Sequence, residues 1–181
     1  DIFWTGPKVI SPEISMDHLH GTKELLQRWP IIWDNSFAND GPRNCKFLKL
    51  KPYEGRSFKQ GIQSIYLNLM NQPYLSMILF ETSHLTLQGF DPEKSWEVSL
   101  SRMVEPDLVD FLMRNQHVLC QDGLDRIDDE RRKKFLYQLK IIKDHEQSFL
   151  NNTSDFSCQV IDELEQFLTF QYVVDSDCLT D

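Results

Sequence analysis

One loop of this 181-residue chain concentrates side chains that could do chemistry. It follows the short apolar run Ile31–Trp33 and carries carboxylates and amides beside aromatic rings: Trp33, Asp34, Asn35, Phe37, Asn39 and Asp40. Carboxylate and amide groups can hydrogen-bond the hydroxyls of a pyranose sugar, and an aromatic ring offers a flat surface to its C–H side. The loop is therefore a candidate sugar site. The alternative is an Asx-rich turn that caps the segment after it.

The elements before residue 88 predict that this loop lies at the carboxyl end of a parallel strand. Short apolar runs alternate there with amphipathic stretches, which is typical of α/β structure. The predicted order is strand Ile2–Thr5, a helix capped by Ser15, strand Ile31–Trp33, helix Gly55–Leu69 and strand Met77–Phe80. In such folds, ligands bind on the loops that follow the carboxyl ends of the strands.

From Phe90 onward the pattern is helical. Asp91 and Pro92 are suited to begin one helix, and three more are predicted over Asp107–Cys120, Asp128–Phe149 and the residues after Ser154. The predicted fold class is α/β followed by all-α, with an α/β part over residues 1–88 and a helical part over 89–181.

Composition limits the possible partners. The formal net charge is −9, whereas a nucleic-acid binder needs a basic face, so nucleic acid is excluded as a partner. Apolar runs fall far short of the ~18 residues of a membrane span. The four scattered cysteines form no metal-binding or disulfide pattern and are predicted to be free thiols.

Other candidate groups favour structural roles. His18 and His20 are two residues apart and cannot chelate a metal from one helix face, so no metal site is predicted. Asp128 and Asp129 precede an amphipathic stretch and are predicted to begin a helix. The acidic pair at residues 162 and 163 is predicted to be solvated in the middle of a helix.

Five strings occur in an order that resembles glycoside hydrolase family 84, the O-GlcNAcase and hyaluronidase-like β-N-acetylglucosaminidases. They are Phe3–Ser11, Ile31–Asp40, Leu50–Ser57, Asn68–Pro73 and Gly89–Trp96. The specific motifs cover about the first 100 residues, and the remainder resembles the family only in its helical sequence pattern.

The resemblance implies the last three βα units of a (β/α)8 TIM barrel followed by a C-terminal helical bundle. It implies a retaining glycosidase in which the substrate's own acetamido oxygen attacks the anomeric carbon, without a cofactor. Two adjacent Asp residues assist that reaction in the family, and they lie in an earlier part of the barrel that this chain does not contain. No catalytic residue is therefore expected in this chain, and the chain alone is expected to be inactive.

The resemblance assigns the sugar-holding wall to four residues. Trp33 would line the acetamido pocket, Asn35 and Asn68 would hydrogen-bond the sugar, and Asp40 would bind the hydroxyls at its far edge. Asp34 and Asn39 are expected to order the loop. Three positions depart from the family pattern: Gly41 in place of Tyr, Leu69 in place of Pro, and Lys51 in place of Gly.

The expected partners are an N-acetylglucosamine-bearing glycoprotein or glycan and the missing N-terminal part of the barrel. The alternative is a catalytically inactive barrel remnant that serves as a glycan-binding or protein-interaction module. The scattered cysteines and the absence of a signal-peptide pattern favour a cytoplasmic or nucleocytoplasmic location.

Overall fold

The structure is a computed structural model that describes residues 1–56, 62, 64–148 and 152–171. Within these residues, three short strands lie before residue 68 with one α-helix between the first two, and five further α-helices follow. The elements in chain order are β1 (Phe3–Trp4), α1 (Met16–Leu26), β2 (Ile31–Asp34), β3 (Ile65–Leu67), α2 (Pro73–Leu87), α3 (Pro92–Met103), α4 (Pro106–His117), a π-helix (Val118–Asp122), a 3-10 turn (Leu124–Arg126), α5 (Asp129–Glu146) and α6 (Asn152–Leu168).

The three strands form one parallel sheet in the order β1-β2-β3. Phe3 pairs with Ile31 across the first interface, and Trp33 pairs with Tyr66 across the second. Because the strands are parallel, the loops that leave β2 and β3 emerge at the same edge of the sheet. The candidate loop and Asn68, which directly follows β3, are therefore neighbours.

The third strand is not where the sequence analysis put it. Met77–Phe80 was predicted to be a strand, but it lies inside α2, which begins at Pro73. A four-residue apolar run does not distinguish a strand from a buried helix. The buried positions of α2 follow helical spacing: Leu75, Ser76, Ile78, Leu79, Thr82 and Ser83.

The predicted helix over Gly55–Leu69 is also wrong in its described part. Ile65–Leu67 forms β3, with Ile65 packed against the cluster beneath α1. Residues 57–61 and 63 of the predicted helix lie outside the described residues. Among the described residues, the order up to residue 87 is therefore β, α, β, β, α rather than the predicted β, α, β, α, β.

Local capping residues begin three helices as predicted. The Ser15 side chain accepts the backbone N–H of His18, and that histidine accepts the N–H of Ser15 in return. Asp91 caps α3 through the N–H of Lys94, and Asp128 caps α5. These caps satisfy N–H groups that the first helical turn leaves without partners. None of the helices in the described part of the chain has the length and apolar character needed to span a bilayer.

Two apolar clusters form the core. A small one lies between the sheet and α1, and its buried members are Ile14, Leu19 and Ile32. The large one runs from Phe37 to Leu168 and joins the loop after β2 to helices α2 through α6. Helix α2 packs against both α3 and α6, so apolar contacts cross residue 88. The division into residues 1–88 and 89–181 stays a prediction.

The acidic pair on α6 differs from its prediction. Asp162 is partly exposed and pairs with Lys143. Glu163, which was predicted to be solvated, is only 4% exposed and accepts two backbone N–H groups of α2. Its partners lie 88 and 89 residues earlier in the chain, so the pattern of α6 alone could not reveal them.

Because side chains of α6 belong to the large apolar cluster, we expect α6 to contribute to the stability of the whole chain. Leu164 is fully buried in this cluster, so Leu164→Ala should lower the free energy of unfolding by about 2–5 kcal/mol. Leu25→Ala on the exposed face of α1 is the matched control and should change it little. Urea unfolding followed by circular dichroism measures both. Equal effects of the two substitutions would show that α6 does not share this core.

Candidate functional site

Asp34, the last residue of β2, forms a buried ion pair with Arg56. The Nε and Nη2 atoms of Arg56 lie 2.6 and 2.7 Å from the two carboxylate oxygens of Asp34. Both side chains are only 1% exposed. The carboxylate also accepts hydrogen bonds from the Tyr53 hydroxyl (2.6 Å), the Ser36 N–H (2.9 Å) and the Ser36 hydroxyl (2.7 Å). The side-chain contacts of Asp34 thus tie the start of the loop to Tyr53 and Arg56, which agrees with the ordering role predicted for it.

The surroundings of Asp34 stabilise its charged form. Burial alone would raise the pKa of Asp34. The hydrogen bonds and the positive charge of Arg56, together with hydrogen bonds from Tyr53 and Ser36, outweigh this effect of burial. The pKa of Asp34 is therefore held below its ordinary value of 3.8. Burial and the nearby carboxylate raise the pKa of the Tyr53 hydroxyl, which stays protonated and donates to Asp34.

Arg56 also joins this loop to the segment between β1 and α1. Its Nη2 donates to the carbonyl of Ser11 (2.9 Å), and its Nη1 donates to that of Pro12 (3.2 Å). Gly55 allows the close approach of the two segments, because a Cβ there would lie 2.2 Å from the Pro12 carbonyl oxygen. Gly55 also has a positive φ of 69°, which disfavours other residues.

Three of the four predicted sugar-pocket residues form one hydrogen-bonded cluster. Oδ1 of Asn35 accepts both the indole N–H of Trp33 (3.0 Å) and the Nδ2 of Asn68 (2.9 Å). The amide nitrogen of Asn35 donates to the carbonyl of Val9 (2.8 Å), which fixes its orientation. In the part of the chain that the structure describes, no hydrogen bond uses Oδ1 of Asn68. Within that part, the half-buried Asn68 thus has one acceptor and one N–H that no other group engages.

An aromatic surface adjoins this cluster on one face of the sheet. The rings of Trp33 and Tyr66 are nearly parallel, with centroids 6.5 Å apart, and Phe3 meets both edge-on. Phe3, Trp33 and Tyr66 are 53%, 40% and 50% exposed. The opposite face of the sheet packs against α1, so the face that carries these rings is the exposed one.

The second half of the loop is held by Asn39. Its Nδ2 donates to Oε1 of Gln72 (2.9 Å), and its Oδ1 accepts the N–H of Asn71 (2.8 Å). Asn39 is fully buried, so it orders the loop as expected. Asp40, the fourth predicted pocket residue, follows directly and is half-buried. Gly41 comes next with φ of 83°, where the family's Tyr would be strained.

Sequence reasoning missed Arg56 and Glu163, which support the site from two sides. The Leu50–Ser57 string contained Arg56, but its type alone did not indicate a partner. A potential cation site occurs elsewhere: Asp107, His145 and Glu146 each place one ligand atom within 4.8 Å of the others. That group lies on α4 and α5 and includes no residue of the candidate loop.

Comparison with known proteins identifies the class. The β-N-acetylglucosaminidase family matches residues 1–115, which is more than half of the chain. The chain therefore belongs to this glycosidase family, glycoside hydrolase family 84, as its motifs indicated. The O-GlcNAcases of Rattus norvegicus and Mus musculus are each 46% identical over 57 residues. That stretch covers 32% of this chain and 6% of each of those proteins.

A solved structure shares the fold. An Asp-to-Asn variant of the Thermobaculum terrenum O-GlcNAc hydrolase superposes with a TM-score of 0.62 at 22% identity. The match covers 94% of this chain and 45% of that one. The small parallel sheet and the helices after it thus agree with part of an α/β fold followed by a helical region.

The pKa of Asp34 predicts how stability depends on pH. Because its folded-state pKa is lowered, Asp34 contributes stability above its unfolded pKa of about 3.9, and this contribution is lost as the pH falls through the lower folded value. Asp34→Asn cannot titrate. The difference in free energy of unfolding between wild type and Asp34→Asn should therefore shrink as the pH falls from 6 to 3.

Urea unfolding at a series of pH values measures this difference. Asp125→Asn, which removes an exposed partner of Lys46, is the control and should differ little from wild type at each pH. A difference between wild type and Asp34→Asn that stays constant with pH would contradict the assigned charge state of Asp34.

Proposed function

We propose that this chain supplies the sugar-holding wall of a retaining β-N-acetylglucosaminidase of the O-GlcNAcase type. Family membership supports the substrate class, a terminal N-acetylglucosamine on a glycoprotein or glycan. The observation that carries the assignment of the wall is the hydrogen-bonded cluster of Trp33, Asn35 and Asn68 at the carboxyl ends of β2 and β3.

Each wall residue has a distinct task in this proposal. Asn35 and Asn68 both hydrogen-bond the sugar. The contacts of Asn35 with Trp33 and with the Val9 carbonyl hold it in place, and its Oδ1 orients Asn68. The Trp33 ring packs against the acetamido group and the C–H side of the pyranose. The Asp40 carboxylate accepts hydrogen bonds from the hydroxyls at the far edge of the sugar, and hydrogen bonds to a charged acceptor are the stronger kind.

The reaction proposed is substrate-assisted. The acetamido oxygen forms a bond to the anomeric carbon while the glycosidic C–O bond breaks and the leaving oxygen takes a proton from one Asp. A water molecule then attacks the same carbon, gives its proton to that Asp, and the ring formed by the acetamido group opens. The second Asp orients the acetamido group. In the proposal both belong to another part of the barrel, and this chain holds the sugar for them.

We propose that β1, β2 and β3 are the last three strands of a (β/α)8 barrel. Their parallel order and the exposure of Phe3, Trp33 and Tyr66 support this, because the inner face of a barrel is covered only when all strands are present. Among the described residues, no strand pairs with the outer side of β1 or of β3, and the backbone groups there are where further strands would bind. The first part of the barrel is thus the proposed partner of this face.

The proposal is tested by Asp40→Ala in a protein that carries this chain together with the rest of the barrel. Loss of charged hydrogen bonds to the sugar should lower kcat/KM on an aryl N-acetyl-β-glucosaminide by ~100-fold. Asp125→Ala, an exposed acid on the 3-10 turn, is the control and should leave kcat/KM unchanged.

Circular dichroism establishes that both variants are folded before kinetics are compared. Wild-type kcat/KM in a folded Asp40→Ala variant would refute the role of Asp40. Binding of N-acetylglucosamine without any turnover by the wild-type protein would instead favour the alternative, a glycan-binding remnant of the barrel.

A further inference from the structure

The N-terminus of α2 requires hydrogen-bond acceptors from elsewhere in the chain. Pro73 is its first residue and has no N–H, so the unpaired backbone donors of the first turn are those of Tyr74 and Leu75. The residue before the helix, Gln72, forms no side-chain cap. Its carbonyl accepts the next donor, the N–H of Ser76 (2.9 Å).

Glu163 of α6 satisfies both donors. Its Oε1 accepts the N–H of Tyr74 and its Oε2 accepts the N–H of Leu75, each at 2.8 Å. One carboxylate therefore completes the first turn of α2. The negative charge also lies at the positive end of the helix dipole, where it is favourable.

The burial of Glu163 makes this contact specific. The pKa of Glu163 is raised, because the effect of burial exceeds the opposite effect of the two N–H groups that stabilise its charge. A Gln side chain would keep only one acceptor and turn its NH2 group toward the second backbone N–H. A conservative Glu163→Gln change therefore breaks the cap without changing the volume of the side chain.

The capped helix is continuous with the segment that carries Asn68. Residues 68–72 connect β3 to α2. At the helix end of this segment, Asn39 holds the Asn71 N–H and the Gln72 side chain. At its strand end, the N–H of Asn68 donates to the carbonyl of Asp34 (2.9 Å).

We propose that Glu163 is a positioning residue for the candidate site, acting through the N-terminus of α2 to hold residues 68–72 and thereby Asn68. The inference rests on the proposed sugar-binding role of Asn68. In this proposal the helical region helps to position the site. Helix α6 lies outside the residues that the family matches, yet it fixes the position at which the segment after β3 meets α2.

The structural half of the test uses the chain itself. In Glu163→Gln, at least one of the backbone amides of Tyr74 and Leu75 should exchange with deuterium at least ~10-fold faster than in wild type, because the Gln side chain has an acceptor for only one of them. The side-chain NH2 signal of Asn68 in an 15N-correlated NMR spectrum should also shift, since its distance to Asn35 changes.

Glu165→Gln is the matched control, because it removes one charge two residues along the same helix, near Lys143. It should leave the amide exchange rates and the Asn68 signal unchanged. Glu163→Asp provides a second variant in case Glu163→Gln does not fold. It keeps the charge, but it is too short to reach both amides, and it should give changes in the same direction.

The functional half uses a protein that carries this chain with the rest of the barrel, and N-acetylglucosamine as the probe. Glu163→Gln and Asn68→Ala should each raise the Kd for the sugar by about 10-fold when binding is measured at a temperature well below the Tm of each variant. Glu165→Gln should leave this Kd within about twofold of wild type. A residue that only stabilised the fold would lower the Tm without changing the Kd of the folded protein.

The two proposals fail in different ways. Unchanged amide exchange and an unchanged Asn68 signal in both Glu163 variants would overturn the positioning role, whatever happens to sugar binding. The same role is overturned if Asn68→Ala weakens binding and Glu163→Gln does not. If the Asn68 signal shifts in Glu163→Gln while neither Glu163→Gln nor Asn68→Ala alters the Kd, the positioning role stands and the proposed sugar-binding role of Asn68 is refuted.

Discussion

The buried ion pair between Asp34 and Arg56 is the interaction on which the candidate site depends. Two charged side chains at 1% exposure are stable only when their geometry is good and their remaining hydrogen-bonding groups are satisfied. Both conditions hold, because Arg56 meets the carboxylate through two nitrogens and donates to backbone carbonyls at residues 11 and 12. The pair joins three chain segments at the carboxyl end of β2, next to Asn35.

The site is supported from a second direction by the helical region. The large apolar cluster joins the loop after β2 to α6, so sheet and helices share a core. Glu163 adds a polar contact between α6 and the start of α2. The segment after β3 is therefore held by the sheet at one end and by the helices at the other. The presence of a helical region directly after the sheet thus has a physical consequence for the position of Asn68.

The sequence predicts those features that depend on neighbouring residues and misses those that depend on distant ones. The caps at Ser15, Asp91 and Asp128 involve residues three positions apart, and all three are found. The family motifs identified the loop after β2 and its class of protein. The strand predicted at Met77–Phe80 is a helix, because a short apolar run fits either structure. Arg56 and Glu163 reach partners 22 or more residues away, so no local pattern could indicate their roles.

The central claim is that the Asp34–Arg56 pair holds the loop as one unit, and a double-mutant cycle tests it most directly. The free energy of unfolding of the wild type, Asp34→Asn, Arg56→Gln and the double variant would be measured in urea at pH 7. Each single change should cost about 3–5 kcal/mol, because it leaves a buried charge without its partner. The double variant should cost at least ~2 kcal/mol less than the sum of the singles. Effects that add to within ~0.5 kcal/mol would contradict the account, since they would mean that the two side chains act independently.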